Sequence, residues 1–270
     1  GWSAYFLGVC AIVFSGIVLK KTKMFAGQPA PFVMELPAYH MPRVIDILKS
    51  VAERGMSFVK KAGTVILLAT ILVWFLSRFN FQMQYLPEDD MDTSILAAFG
   101  NAFTWLFAPL GWGKWKAVVA ALTGLIAKEN VVGTFGTLFH YQGAEELAES
   151  GDQIWAQVRE YFGTGIAGYS FLAFNLLCAP CFAAIGAIKR EMNNGRWTMF
   201  AIGWECFLAY CVSLVIYQIG GLIAGVVSFN FFTIVAIALI LIGIWGLLRP
   251  YKEADTLSEQ KERAVDRAMA

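Results

Sequence analysis

The chain has 270 residues, 58% of them hydrophobic and 15% charged, with a mean hydropathy of +0.58 and a net charge of +1. Soluble globular domains carry about 25% charged residues, so this composition excludes an ordinary soluble fold and puts the chain in a bilayer. With charge so nearly balanced, no face collects the cationic density that phosphate backbones require, which excludes a nucleic-acid partner.

Taking a helical span as about 20 residues, the apolar runs in chain order are 2–19, 64–77, 95–110, 115–138, 166–188, 197–226 and 231–248. The first is not a signal peptide, because no basic residue precedes it and its cluster of Lys20, Lys21 and Lys23 follows it. The chain opens inside a span and without an initiator methionine, from which we expect the C-terminal part of a longer protein. After the first run, Pro29, Pro31, Pro37 and Pro42 break the backbone around His40, and Pro42 is placed to open a helix. From there Val44, Leu48, Val51, Met56 and Val59 recur near helical spacing against Arg43, Asp46, Lys49, Glu53, Arg54 and Lys60. That pattern predicts an amphipathic helix, either on the inner leaflet or packed on a cytoplasmic domain outside this chain.

The run 64–77 is short unless 59–63 extends it, and 95–110, interrupted by Gly100-Asn101 and ended by Pro109, reads as a span or a re-entrant half-helix. Three later runs carry polar groups at membrane depth, where charge is costly and marks function by default. The run 115–138 holds Ala127-Lys128-Glu129-Asn130. Adjacent helical residues point about 100° apart, so Lys128 and Glu129 have different partners. Glu129 is either a transient cation ligand with Lys128 restoring charge balance, or one member of a structural pair with another span. Asn130 and Asn175 are suited to bonding across helices.

The run 166–188 holds Cys178-Ala179-Pro180-Cys181. Pro180 frees a carbonyl in the preceding turn and can split the run into two half-helices, an arrangement that places ligands near the membrane midplane. Cys178 and Cys181 share one face if the turn is helical, and read as metal ligands, small buried hydrophobes or a redox pair. In 197–226, Glu205 is a partner for Lys128, a group reaching interfacial water, or a metal ligand. Cys10, Cys206 and Cys211 read as packed thiols, and no cysteine lies in a polar loop where a disulfide framework would form.

Alternation of the runs puts all but Arg78, Arg159 and the span-borne Lys128 of the 21 Lys and Arg on one side. The positive-inside rule then makes the 20–61 stretch and the C-terminus cytoplasmic. The opposite loops are acidic (Glu88, Asp89, Asp90 and Asp92; Glu145, Glu146, Glu149, Asp152 and Glu160), either a cation-attracting vestibule or a solvated surface. His140 lies at the outer end of its run. If 95–110 and 115–138 are both re-entrant, every later loop keeps its side, so charge counting leaves five and seven spans equally open. The fold class expected is all-α: a polytopic membrane bundle with broken or re-entrant helices and an inner-surface amphipathic helix. Its parts are 1–61, a transmembrane domain 62–248, and a charged cytoplasmic tail 249–270.

Phe32-Val33-Met34-Glu35-Leu36-Pro37-Ala38-Tyr39, followed by the amphipathic helix and Lys61-Ala62-Gly63-Thr64-Val65-Ile66, resembles the central region of the FeoB family of bacterial ferrous-iron transporters. Trp115-Lys116-Ala117 through Leu122-Thr123-Gly124-Leu125-Ile126-Ala127-Lys128-Glu129, with Gly133-Thr134-Phe135-Gly136-Thr137-Leu138, is similar to the start of that family's second Gate motif. Ala179-Pro180-Cys181-Phe182-Ala183-Ala184 through Ile188-Lys189-Arg190-Glu191 is similar to its end. The resemblance covers roughly residues 1–220 in the family's order.

It implies Fe2+ as transported substrate, crossing a bacterial inner membrane near Cys181 and Glu129. Lys128, Asn130, Pro180 and Glu205 have supporting places. Cys178 is a departure from the family's pattern, since the motif matches at Cys181. No G-x-x-x-x-G-K-[ST] phosphate loop occurs, so this chain is not expected to be an enzyme, and GTP enters only through an N-terminal GTP-binding domain absent here. The implied partners are the lipid bilayer, that domain, a first Gate half, small cytoplasmic accessory proteins and a homo-oligomer. The competing readings are a Gate-type transporter of a nucleoside-like solute and a membrane thiol oxidoreductase using Cys178 and Cys181.

Overall fold

The computed structural model describes residues 2–22, 43–124, 128, 130–138 and 152–249. These form α1 (Trp2–Lys20), α2 (Val44–Arg78), α3 (Ile95–Phe107), α4 (Trp115–Gly124), α5 (Asn130–Leu138), α6 (Asp152–Phe162), α7 (Gly165–Leu177), α8 (Phe182–Met192), α9 (Gly195–Ile223) and α10 (Phe231–Leu248). Short 3-10 helices cover Glu88–Thr93 and Ala108–Leu110, and no strand longer than the single bridge of Phe79 with Tyr85 occurs among the described residues. The all-α expectation holds. The Pro-rich stretch with His40, the matched segment 32–39, His140, the acidic residues 145–149 and the tail from Pro250 lie outside the described residues.

The described residues fall into two compact units, one holding α1 with α10 beyond Ala236, the other running from α2 to the start of α10. In the first, Gly243 faces the Phe14 ring and Gly246 faces Val18, while the Lys21 ammonium donates to Leu247 O. Two glycines three residues apart let helices approach closely in lipid, where packing and not the hydrophobic effect joins them. α1 is apolar all round with no buried residue, the surface a lipid-facing helix presents.

In the second unit, α4 is buried along most of its length, packed against α3, α5 and α7. Polar side chains fix its neighbours. α3 starts where the Ser94 hydroxyl accepts from Ala97 N, α7 where the Thr164 hydroxyl accepts from Ala167 N, and α9 where the Asn194 side chain accepts from Arg196 N. The C-terminal carbonyls of α3 and its 3-10 extension have no helical partner, and in a membrane protein they must be met internally. Tyr210 OH donates to Leu106 O at 2.8 Å, Gln218 Nε2 to Pro109 O at 2.6 Å and Ser170 Oγ to Leu110 O at 2.9 Å. Ser213 Oγ in turn donates to Ser170 O at 2.7 Å, tying α7 to α9.

The run 115–138 is not one span. Lys116, at the start of α4, donates from Nζ to Leu138 O at the end of α5 (3.0 Å), and the buried Thr123 and Thr134 hydroxyls are 3.1 Å apart. α4 and α5 are therefore antiparallel arms of a hairpin, with Lys128 at its closed end. α3 meets α4 at a bend of 94°. Trp115 Nε1 donates to Asp92 Oδ1 at 2.9 Å and Lys114 Nζ to Tyr161 O, so Lys114 and Lys116 sit at the same end as Asp92 and α6. This corrects the assignment of both lysines to the side opposite 80–93, which followed from assuming that every apolar run crosses.

Among the described residues, three helices, Trp2–Lys20, Gly195–Ile223 and Phe231–Leu248, are long and apolar enough to cross a membrane unaided. The amphipathic segment and the run 64–77 are continuous in the 35-residue α2, because nothing between Val44 and Arg78 breaks a helix; the 61/62 boundary falls within it. The acidic stretch around 152–160, expected to be an outer loop, is largely α6.

Candidate functional site

α7 and α8 lie end to end along α9. Ile166 touches Gly220, Ser170 bonds Ser213, and Cys178 lies near Cys206, so residue numbers rise on one side as they fall on the other. The run 166–188 is thus a broken span, as its proline predicts. Pro180 has no N–H and disfavours helical backbone at Ala179, and α7 stops with Cys178 extended at φ −70°, ψ 170°. Cys181 (φ −58°, ψ 159°) is the N-cap of α8, and its carbonyl accepts from Ile185 N at 3.0 Å. The two cysteines therefore do not share a helical face: both stand on extended backbone flanking the break. Cys178 is buried, with Sγ 3.6 Å from Ala179 O, and Cys181 is half-buried; both are free thiols.

The α4–α5 hairpin brings its tip to this break. The Lys128 ammonium donates to Cys178 O at 3.0 Å and Leu176 O at 3.2 Å. These carbonyls are left open where α7 ends, and a cation there also meets the negative end of the helix dipole. At Gly124, the last residue of α4, a Cβ would stand 2.9 Å from Val131 and 3.0 Å from Asn175 Oδ1, so the tip closes only over a glycine. Asn175 does not bond across helices as expected; its Nδ2 donates to Phe171 O of its own helix, 2.9 Å away. Ten residues of α4 span about 15 Å, half of a hydrocarbon core about 30 Å thick.

Glu205 and Cys206 of α9 face the same place. Lys128 lies near the Glu205 carboxyl and the Cys178 thiol, and Glu205 and Cys206 both lie near Cys178. Lys128 and Glu205 form no ion pair: the lysine is engaged on carbonyls, and Glu205 Oε2 is buried with no hydrogen-bond partner. Lys128, Pro180, Cys178, Cys181 and Glu205 are therefore gathered at one locus. Glu129 and the Asn130 side chain lie outside the described residues. Among the described residues, no three of His, Cys, Asp and Glu are grouped closely enough to hold a metal ion. Cys10 is exposed on α1, and Cys211 is half-buried on α9.

Sequence reasoning missed a cleft of about 450 Å³ at the open end of the hairpin, lined by Asp92, Asn101, Thr104, Lys114, Trp115 and Tyr161 among others. Burial pushes the Tyr161 phenol up to about 12, against the opposing effect of the Lys116 N–H that donates to it at 3.2 Å. Lysines flanking Trp115 were its available signal, an interfacial pattern that here marks a re-entrant mouth.

The Gate family, described as Nucleoside recognition, matches residues 59–195, and the family Ferrous iron transport protein B C terminus matches residues 2–54. The Fe(2+) transporter FeoB of Methanocaldococcus jannaschii is 35% identical over 82% of this chain and 32% of its own length. Those of Escherichia coli K12 and Salmonella typhimurium are each 33% identical, over 92% and 81% of this chain and 37% and 34% of their own lengths. The chain spans about a third of the length of these relatives. No solved structure matches it.

Proposed function

This chain belongs to the Gate family, and from its likeness to part of the FeoB transporters we propose that it is the permease portion of a ferrous-iron transporter, with iron crossing where the hairpin tip meets the α7–α8 break. The observation that carries this reading is the Lys128 side chain seated on Leu176 O and Cys178 O, which joins the two polar motifs of the sequence. Ferrous iron is a borderline cation that accepts thiolate and carboxylate together, whereas Mg2+ and Ca2+ prefer all-oxygen shells. Cys181 at the N-cap of α8 is the thiol ligand, Glu129, next to Lys128 in the chain, the carboxylate, and Cys178 the lesser thiol.

The chain sits in the cell's inner membrane with its C-terminus and the 20–61 stretch cytoplasmic, so the cleft beside Trp115 opens outward. A GTP-binding domain and a first Gate half outside this chain act on it through the basic 20–61 stretch and α2. Small cytoplasmic proteins and copies of the chain are further partners.

Ferrous uptake by the membrane-embedded protein tests the reading. Cys181→Ala should abolish most uptake while insertion is unchanged, and Cys178→Ala should reduce it less. Wild-type uptake in Cys181→Ala removes the thiol ligand; equal losses in the two favour a redox pair instead.

A further inference from the structure

We propose that the Lys128 ammonium is a tethered resident cation: it occupies the carbonyl oxygens of Leu176 and Cys178, which form part of the ion's own binding site, and a passing ion must displace it. The inference rests on the reading of this locus as an ion path and adds two backbone ligands and a gate to it.

Lys128 Nζ lies 3.2 Å from Leu176 O and 3.0 Å from Cys178 O. Carbonyls at the end of an interrupted helix are groups on which transporters hold small cations, since no N–H competes for them. A divalent ion and an ammonium cannot share two oxygens, because their like charges would stand within a bond length of the same atoms. The ammonium also has a second place to go. Glu205 Oε2 is buried with no hydrogen-bond partner, and the Lys128 charge already acts on that carboxyl. A flexible four-carbon stem allows the move. The locus thus has two arrangements: ammonium on the carbonyls with Glu205 unpaired, and ion on the carbonyls with Lys128 turned to Glu205. Withdrawal of the ion leaves uncovered carbonyls and returns the lysine, so the pathway is never an open channel for other cations.

Equilibrium dialysis of the purified protein against ferrous iron under anaerobic conditions tests this. If the ammonium fills the carbonyl site nine-tenths of the time, the wild type binds about tenfold more weakly than a protein without it. Lys128→Gln keeps a neutral donor for the carbonyls and removes the competing charge, so it should bind iron about tenfold tighter. Lys128→Arg, which keeps the charge, should bind as the wild type does. Lys128→Met should match Lys128→Gln where it folds, and the Gln variant decides where it does not. A merely structural cap predicts equal or weaker binding in Lys128→Gln. Iron bound by the wild type and no tighter by Lys128→Gln overturns the resident-cation role while leaving iron passage standing. Iron bound by neither overturns both.

Discussion

Thr123 and Thr134 are eleven residues apart in the chain, and their buried hydroxyl oxygens lie 3.1 Å from each other. In a continuous helix the same separation would place them about 16 Å apart along the axis. The contact therefore distinguishes a hairpin from a span. With the native cysteines replaced, Thr123→Cys with Thr134→Cys should cross-link rapidly on mild oxidation in the membrane, read as a loss of maleimide-reactive thiol. Two thiols that stay reactive would restore the single span 115–138.

The hairpin also fixes sides. A single cysteine at Lys114 should react with a membrane-impermeant maleimide from the same side as one at Gln82, and one at Lys189 only from the other. Labelling of positions 114 and 82 from opposite faces would contradict the Trp115–Asp92 hydrogen bond.

What the sequence disclosed and concealed follows from the range of the forces involved. The break at 178–181 was legible because a proline's missing N–H acts locally. The site character of Lys128 and Glu205 was legible because charge in lipid must be accommodated somewhere. Their partners were not: Lys128 is satisfied by the backbone of α7, 48 and 50 residues away in the chain, and carbonyls leave no trace in residue identity. The hairpin was hidden for a similar reason. The run 115–138 is long enough to cross, and only contacts such as Lys116 to Leu138 O, 22 residues on, show that it turns back. Placing Lys114 and Lys116 on the wrong side was the direct consequence. α2 was divided because a change from amphipathic to apolar composition was taken for a boundary, though a helix continues through such a change unless a residue breaks it.

Gly111 has no room for a side chain unless Tyr217 moves. Its φ of 88° is left-handed, and a Cβ would stand 2.1 Å from the Tyr217 ring. Left-handed backbone costs a residue with a Cβ about 1–2 kcal/mol, and overpacking adds about 1–3 kcal/mol. Gly111→Ala should therefore lower the unfolding midpoint in detergent strongly. Tyr217→Ala added to it should recover the packing part and not the backbone part. Full recovery would mean that the conformation at 111 carries no strain.

Gln218 holds the other end of the same turn, and its loss tests whether buried amide bonding keeps α3 against α9. It is fully buried; its Nε2 donates to Pro109 O at 2.6 Å and its Oε1 accepts from Thr233 Oγ1 at 3.2 Å. Pro109 O has no helical N–H to turn to, so Gln218→Leu strands a carbonyl and deprives a hydroxyl of one acceptor. Leaving a buried polar group unsatisfied costs about 1–3 kcal/mol. Thr233→Val removes one donor and keeps the bond to Pro109 O, so it should cost about 1 kcal/mol. The double variant should cost little more than Gln218→Leu alone, since both changes act on one network. Midpoints of denaturation for the three variants give the answer. A Gln218→Leu protein as stable as the wild type would mean that apolar packing, and not this hydrogen bond, holds the 3-10 turn in place.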